Sequence, residues 1–327
     1  MRRVGVGLVG AGKHGQRYLA HMRTDVPELA LAALSRRDAS RGRDDAARLG
    51  CRFHGDWRAL VADPAVEAVI AVVPPVLHPA IAEAVAAAGK PLLIEKPLAT
   101  TGAAAVEVVR VLRTARVPCL MAQTLRWNAV VRAIRARLPE IGALHAVVLN
   151  QRFEPSPLVW LDDPSMSGGG ILLHTGVHSF DLVRFLTGCE VTEVFCRAAR
   201  VRTLRTEDNF AAVLRLAGSD ALVAVSGCRA TRGRSGLIDV AGDEGQLVGD
   251  HQLGSAYAVR GLERTPLPLG ELVPTVREVL RAFARLILDG EPPLATPEDG
   301  ARAVLIAEAC HRSAESGAPV TVSGPDG

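Results

Sequence analysis

Val4 to Gly15 read VGVGLVGAGKHG, a short apolar strand running straight into Gly10-Ala11-Gly12-Lys13-His14-Gly15. The three glycines fall at the spacing of a dinucleotide fingerprint. Glycine at the first two positions lets the backbone turn tightly and approach a pyrophosphate, and the third lets the following helix pack closely on its strand. Phosphate oxygens then meet free N–H groups at the positive end of a helix dipole. The fingerprint alone is weak evidence. Here it follows a strand and opens the helical stretch Gln16 to Met22, the context the motif requires. Gly10, Gly12, Lys13, His14 and Gly15 are therefore the first candidate nucleotide-binding residues.

Outward from this segment, apolar runs at 29–34, 68–73 and 91–94 alternate with helical patterns at 41–49, 79–88 and 101–116, and 117–122 reads as a further strand. Alternation of this kind implies a parallel sheet with helices on both faces. Beyond it the runs 144–153, 192–201, 210–216, 221–227, 236–241 and 245–249 read as strands with no helix between each pair. One helix is expected near 170–186, and helices return at 273–288 and 297–315. The expected fold is α/β: an N-terminal Rossmann doubly wound parallel sheet over residues 1–121, then a C-terminal α+β domain on a mostly antiparallel open sheet over residues 122–327.

Composition narrows the function classes. The chain has 327 residues, 48% of them apolar and 22% charged, with a net charge of +3. That length suits about two domains, and so small a charge argues against a nucleic-acid binder. The densest basic stretch, Arg229 to Arg234, reads as a solvated loop, with contact to an anionic substrate group as the alternative. Six scattered cysteines without a CxxC pair fit reduced thiols in the cytoplasm better than disulfides or a zinc ribbon. No apolar run approaches the ~20 residues of a membrane span, so neither a membrane nor an export leader is expected.

Three segments carry candidate chemistry. At the end of the second strand, where an NAD enzyme usually places an acid for the ribose 2′-OH, the chain has Ser35-Arg36-Arg37. A hydroxyl and guanidinium groups suit a 2′-phosphate, so NADP(H) is preferred and NAD(H) stays open, with Asp38 as its ribose partner. Leu93-Ile94-Glu95-Lys96-Pro97-Leu98 puts a lysine at a strand's carboxyl end, where ligands of open α/β sheets collect; its ammonium suits a developing oxyanion. Ser167 to Asp181 holds three consecutive glycines, read as a close backbone approach to a ligand, and then His174, His178 and Asp181 at helical spacing on one face. Two imidazoles near neutral pH suit proton transfer. No metal is expected, because the metalloprotease pattern needs Glu where Thr175 stands and a third ligand is missing. Pro74, Pro75 and His78 are expected to line the cofactor groove, and Arg126 and Trp160 the substrate pocket.

Taken in order, the glycine fingerprint, EKPLA at 95–99, QTLRWN at 123–128, the SGGG-to-HSFD segment and TPEDGARAVLIAEACHRSAESG at 296–317 resemble the Gfo/Idh/MocA family of oxidoreductases. The resemblance spans nearly the whole chain. It implies hydride transfer between a nicotinamide and a carbinol carbon of a small sugar, cyclitol or related polyol. It also implies a homodimer or homotetramer through the open sheet. Lys96 matches the family's EKP lysine, with Glu95 beside it at the cofactor and a cis Lys96–Pro97 peptide, and His178 matches the usual proton donor or acceptor. His174 departs from the family, since many members have Asp there. The rival reading is a nicotinamide-nucleotide-binding regulatory protein without turnover.

Overall fold

The computed structural model describes residues 2–324 and divides into two compact units. One comprises Met1–Ala99, Ala103–Thr124 and Pro274–Ala301; the other comprises Thr100–Gly102, Leu125–Val273 and Arg302–Gly327.

The first unit is built on β1 (Val4–Val9), β2 (Leu29–Ser35), β3 (Arg52–His54), β4 (Ala68–Ala71), β5 (Leu92–Ile94) and β6 (Cys119–Met121). These six strands are parallel in the order β3-β2-β1-β4-β5-β6. Every residue of β4, β5 and β6 is buried, as expected of parallel strands covered on both faces. The order reverses between β1 and β4, the switch point where such sheets leave a crevice at the strands' carboxyl ends.

The boundary expected at residue 121 misses one feature. The tail helix Thr275–Leu288 belongs to the first unit and packs on the fingerprint helix Gly15–Thr24. Its buried Val276, Val279, Leu280, Phe283 and Ala284 fall at i, i+3, i+4, i+7 and i+8, a stripe that needs an apolar surface to cover it.

The second unit carries β7 (Leu144–Arg152), β8 (Val191–Ala199), β9 (Asn209–Leu216), β10 (Ser219–Cys228), β11 (Ser235–Gly242), β12 (Gly245–Asp250), β13 (Ser255–Arg260), β14 (Glu263–Pro266) and β15 (Val320–Thr321). The sheet order is β14-β13-β12-β11-β7-β10-β9-β8-β15, antiparallel except where β7 meets β10. One face is covered by the helices Ala129–Arg137 and Val177–Thr187. On the other, Phe195, Val213, Ala224 and Val148 stand in register across four strands, and Phe195, Val213, Val148 and Leu222 are exposed. Strands β13, β14 and β15 escape the sequence reading: β13 buries one residue of six, β14 is exposed at every residue, and β15 is two residues long, so none shows an alternation to detect. Among the described residues no helix is long and apolar enough to cross a membrane.

Candidate active site

The three fingerprint glycines do different things. Gly10 has φ +100°, and a Cβ there would lie 2.1 Å from the Val72 carbonyl oxygen. A Cβ at Gly15 would lie 2.0 Å from the Gly10 carbonyl oxygen, which is the close packing of helix on strand. At Gly12 nothing stands within 4 Å, and Gly12 and Lys13 are exposed. A phosphate group fits that open cradle.

Beside it, the Ser35 carbonyl accepts the Gly10 N–H at 2.9 Å, and Ser35 itself is buried. Arg36 Nη1 donates to Asp45 Oδ2 at 2.8 Å, and Arg48 and Gln16 donate to the same carboxylate. Arg36 therefore has its charge answered within the fold, whereas Arg37 is exposed. Asp38 caps the helix Ala39–Leu49 by accepting from the Arg41 N–H, so its carboxylate already serves the backbone.

Glu95 turns out to be a brace for the lysine turn. It is 4% exposed, and its Oε1 receives His14 Nε2 and the Tyr18 hydroxyl, both at 2.6 Å, while Oε2 accepts the Lys96 N–H at 3.0 Å. Burial works against its charge. The hydrogen bond and charge of His14, the Lys96 ammonium and the Tyr18 hydroxyl outweigh that penalty and hold the carboxyl at about 2. One carboxylate thus ties the fingerprint helix to the turn presenting Lys96, which is half-buried after a cis Lys96–Pro97 peptide bond. Tyr18 has no signal of its own in the sequence, since a buried tyrosine on a helix reads as core.

Two expectations need correction here. His78 is fully buried and lines no groove; its Nδ1 serves the carbonyls of Pro97 and Leu98 at 2.9 and 3.2 Å. Burial pushes its pKa down to about 4, so it is a neutral strut under the lysine turn. Pro75 is buried as well, opening the short turn Pro75–Leu77, and Pro74 alone of the three is partly exposed.

In the second unit the expected regular helix is interrupted. Leu172–Gly176 form a π-turn that leads into the α-helix Val177–Thr187. A π-turn inserts a residue into the helical spacing and is frequent at functional sites; His174 lies inside it and His178 just beyond it. His174 is buried, with the Trp160 ring edge-on to it at 5.6 Å; His178 is half-buried. Asp181 pairs with an arginine. Its carboxylate receives Arg126 Nη2 at 2.6 Å and Nε at 2.9 Å, and both residues are buried. Arg126 is thereby withdrawn from the substrate-binding role expected of it.

The three glycines before this turn also serve protein rather than ligand. A Cβ at Gly168 would meet Thr100, at Gly169 His311, and at Gly170 the Glu207 carbonyl oxygen at 1.9 Å. Glu207 then clamps the turn, its Oε1 accepting the N–H groups of Gly170 and Leu172, each at 3.0 Å, and pairing with His311 Nε2 at 3.0 Å. Neither partner is visible in the sequence, because they lie far from the turn along the chain.

Burial opposes the charge on both Glu207 and His311, but each charge favours the other, so the glutamate pKa falls below 4.5 and the histidine pKa rises above 6.5. The glutamate contribution is present above its unfolded pKa and lost as pH falls through the folded value. The histidine contribution is present below its unfolded pKa and lost as pH rises through the folded one. Glu207→Gln is therefore expected to destabilise the second unit by about 1.5–3 kcal/mol, most strongly between about pH 5 and 6.5. A pH-independent difference in thermal midpoint between native and variant protein removes the ion pair from the account.

An open phosphate cradle, a braced lysine at a sheet's carboxyl edge and a π-turned helix bearing two histidines are parts of a nucleotide-dependent oxidoreductase. A family model described as "Oxidoreductase family, NAD-binding Rossmann fold" matches residues 4–123, and the companion "GFO/IDH/MocA C-terminal domain" matches residues 131–248. The chain belongs to the Gfo/Idh/MocA oxidoreductase family. Inositol 2-dehydrogenase 1 of Saccharopolyspora erythraea is 30% identical over 361 residues, covering 98% of this chain and 96% of its own length. Myo-inositol 2-dehydrogenase of Thermotoga maritima is 26% identical over 324 residues, 95% of this chain and 96% of its own. In fold, the solved complex of levoglucosan dehydrogenase with NADH and levoglucosan matches with a TM-score of 0.89 at 22% identity, covering 99% of this chain and 100% of that one.

Proposed function

We propose that this chain interconverts an alcohol and a carbonyl on a sugar- or cyclitol-like substrate, with NADP(H) as the preferred nucleotide. The observation that carries the reading is the Glu95 brace, which joins the open Gly12 cradle to the turn presenting Lys96. Gly12, Lys13 and Arg37 hold the nucleotide's phosphates in this reading. The bound nucleotide supplies or accepts the hydride. Lys96 steadies the substrate oxygen as charge develops on it, and His178 gives or takes the proton at that oxygen. His174, buried against Trp160, orients a substrate hydroxyl.

The cofactor preference rests on the missing ribose acid and on Arg37. Because Asp45 already engages Arg36, Arg37→Ala is expected to weaken NADP(H) by about 1.5–3 kcal/mol, with Arg36→Ala milder and NAD(H) affinity little changed in either. Fluorescence titration of both nucleotides checks this; coincident curves in the native chain refute the preference. Turnover itself is tested by screening sugars, inositols and their keto forms at the reduced-nicotinamide absorbance. The exposed apolar row Phe195, Val213, Val148 and Leu222 supports self-association into a homodimer or homotetramer, a reading that a single-chain mass in light scattering removes.

A further inference from the structure

Arg229, at the end of β10, is not the solvated residue its basic stretch suggests. It is half-buried, and its Nη2 donates to the Thr175 hydroxyl at 2.8 Å, inside the π-turn and next to His174. Among the described residues no carboxylate lies within ion-pair distance of it. Burial pushes its pKa down, with the charge of Glu207 working the other way from farther off. A guanidinium withdrawn from water without a carboxylate partner is costly for the fold, and among the described residues only one of its five N–H donors meets a protein acceptor.

Arg229 lines a cavity of about 300 Å³ shared with Pro155, Leu158, Asp162, Ile171 and Glu207. Two features tie the cavity to the His174 turn. Arg229 bonds the residue following His174, and the cavity-lining segment around Leu158 to Asp162 carries the Trp160 ring that stands against His174. The acidic groups of the cavity are already occupied. Asp162 accepts the N–H groups of Leu204, Arg205 and Thr206; Asp208 accepts those of Val201, Arg202 and Thr203; Glu207 is answered by His311 and two N–H groups. Of the two cations in the lining, Arg202 is exposed and Arg229 is the one withdrawn from water without a carboxylate partner.

We infer that the substrate carries a carboxylate, and that Arg229 receives it in this cavity beside the His174 turn. The substrate class is then a sugar acid, an aldonate or uronate, rather than a neutral polyol. A carboxylate matches the planar guanidinium fork and neutralises its charge, which a hydroxyl cannot do. The apolar faces of Pro155, Leu158 and Ile171 are left for the carbon skeleton. The inference rests on the proposed oxidoreductase function for its turnover but not for its binding.

The test compares D-gluconate and D-glucuronate with D-glucitol and D-glucose, by turnover with either nucleotide and by calorimetric titration of the acids into the native chain. The acids are expected to bind, and to outdo their neutral counterparts in kcat/KM by on the order of 10-fold or more. Arg229→Met is expected to weaken the acids by on the order of 10- to 100-fold while neutral compounds change by less than about threefold, and Arg229→Lys to recover part of the loss. Acids that bind in an Arg229-dependent way without any turnover support this inference and overturn the oxidoreductase reading instead. Neutral compounds turned over as well as the acids, an equal effect of Arg229→Met on both, or no calorimetric binding of either acid overturns the inference.

Discussion

Replacing His178 by alanine is expected to lower kcat by about 10²-fold or more while leaving nucleotide affinity almost unchanged. The proposed proton donor stands at the start of the helix Val177–Thr187 in the second unit, whereas the glycine cradle and the arginines belong to the first. Lys96→Ala is expected to cause a loss of similar size, because in the proposed mechanism it removes the ammonium that steadies the developing oxyanion. His174→Ala separates the two histidines: a group that orients a hydroxyl raises KM more than it lowers kcat, and a proton donor does the reverse. The burial of His174 gives the first outcome a physical reason, since the residue is 5% exposed and has the Trp160 ring edge-on against it. His174→Asp, which installs the commoner family residue, then asks whether a carboxylate at that point speeds proton transfer. Full turnover in His178→Ala, on a substrate that the native chain reduces, defeats the assignment.

How much of this was legible in the sequence depends on whether a residue's partner lies near it along the chain. The fingerprint was readable because its strand, turn and helix are contiguous, and the structure gives each glycine its own reason. Five of the six parallel strands and most of the antiparallel runs were readable because burial on one or two faces leaves a pattern in the residues themselves; β3, three residues long with none buried, was not. Glu95 and His78 were recognised as important but misassigned in role. Both serve the Lys96 turn through buried hydrogen bonds to residues that a linear reading cannot pair with them. The SGGG run shows the same limit. Glycines can make room for a ligand or for protein, and only coordinates reveal that Thr100, His311 and Glu207 fill the space. Arg126 and Arg229 depart from expectation for that reason too: the one expected at the substrate is locked by Asp181, and the one expected in solvent is half-buried with no carboxylate within ion-pair distance among the described residues.

Asp181→Ala is expected to be the most destabilising single change considered, costing about 3–5 kcal/mol, because it leaves the Arg126 guanidinium buried without its counter-ion. The Asp181 carboxylate holds Arg126 through hydrogen bonds at 2.6 and 2.9 Å, and the Phe185 ring lies 5.0 Å from its guanidinium carbon. The aromatic face offers about 0.5–2 kcal/mol of attraction to a cation, too little to replace a charge partner in a desolvated site. Removing both charges together is expected to cost much less than the sum of the single losses, since no lone charge then remains buried. A double-mutant cycle with Asp181→Leu and Arg126→Leu measures this by denaturant unfolding. The fluorescence of Trp127 and Trp160 reports the second unit and that of Trp57 the first, so the loss should show in the former pair. Asp181→Asn gives the decisive contrast with catalysis. If Asp181 only anchors the helix, the variant loses stability yet keeps the native pH dependence of kcat at temperatures where it is folded. A shifted pH profile in a fully folded Asp181→Asn protein would falsify the purely structural role and couple Asp181 to the proton transfer assigned to His178.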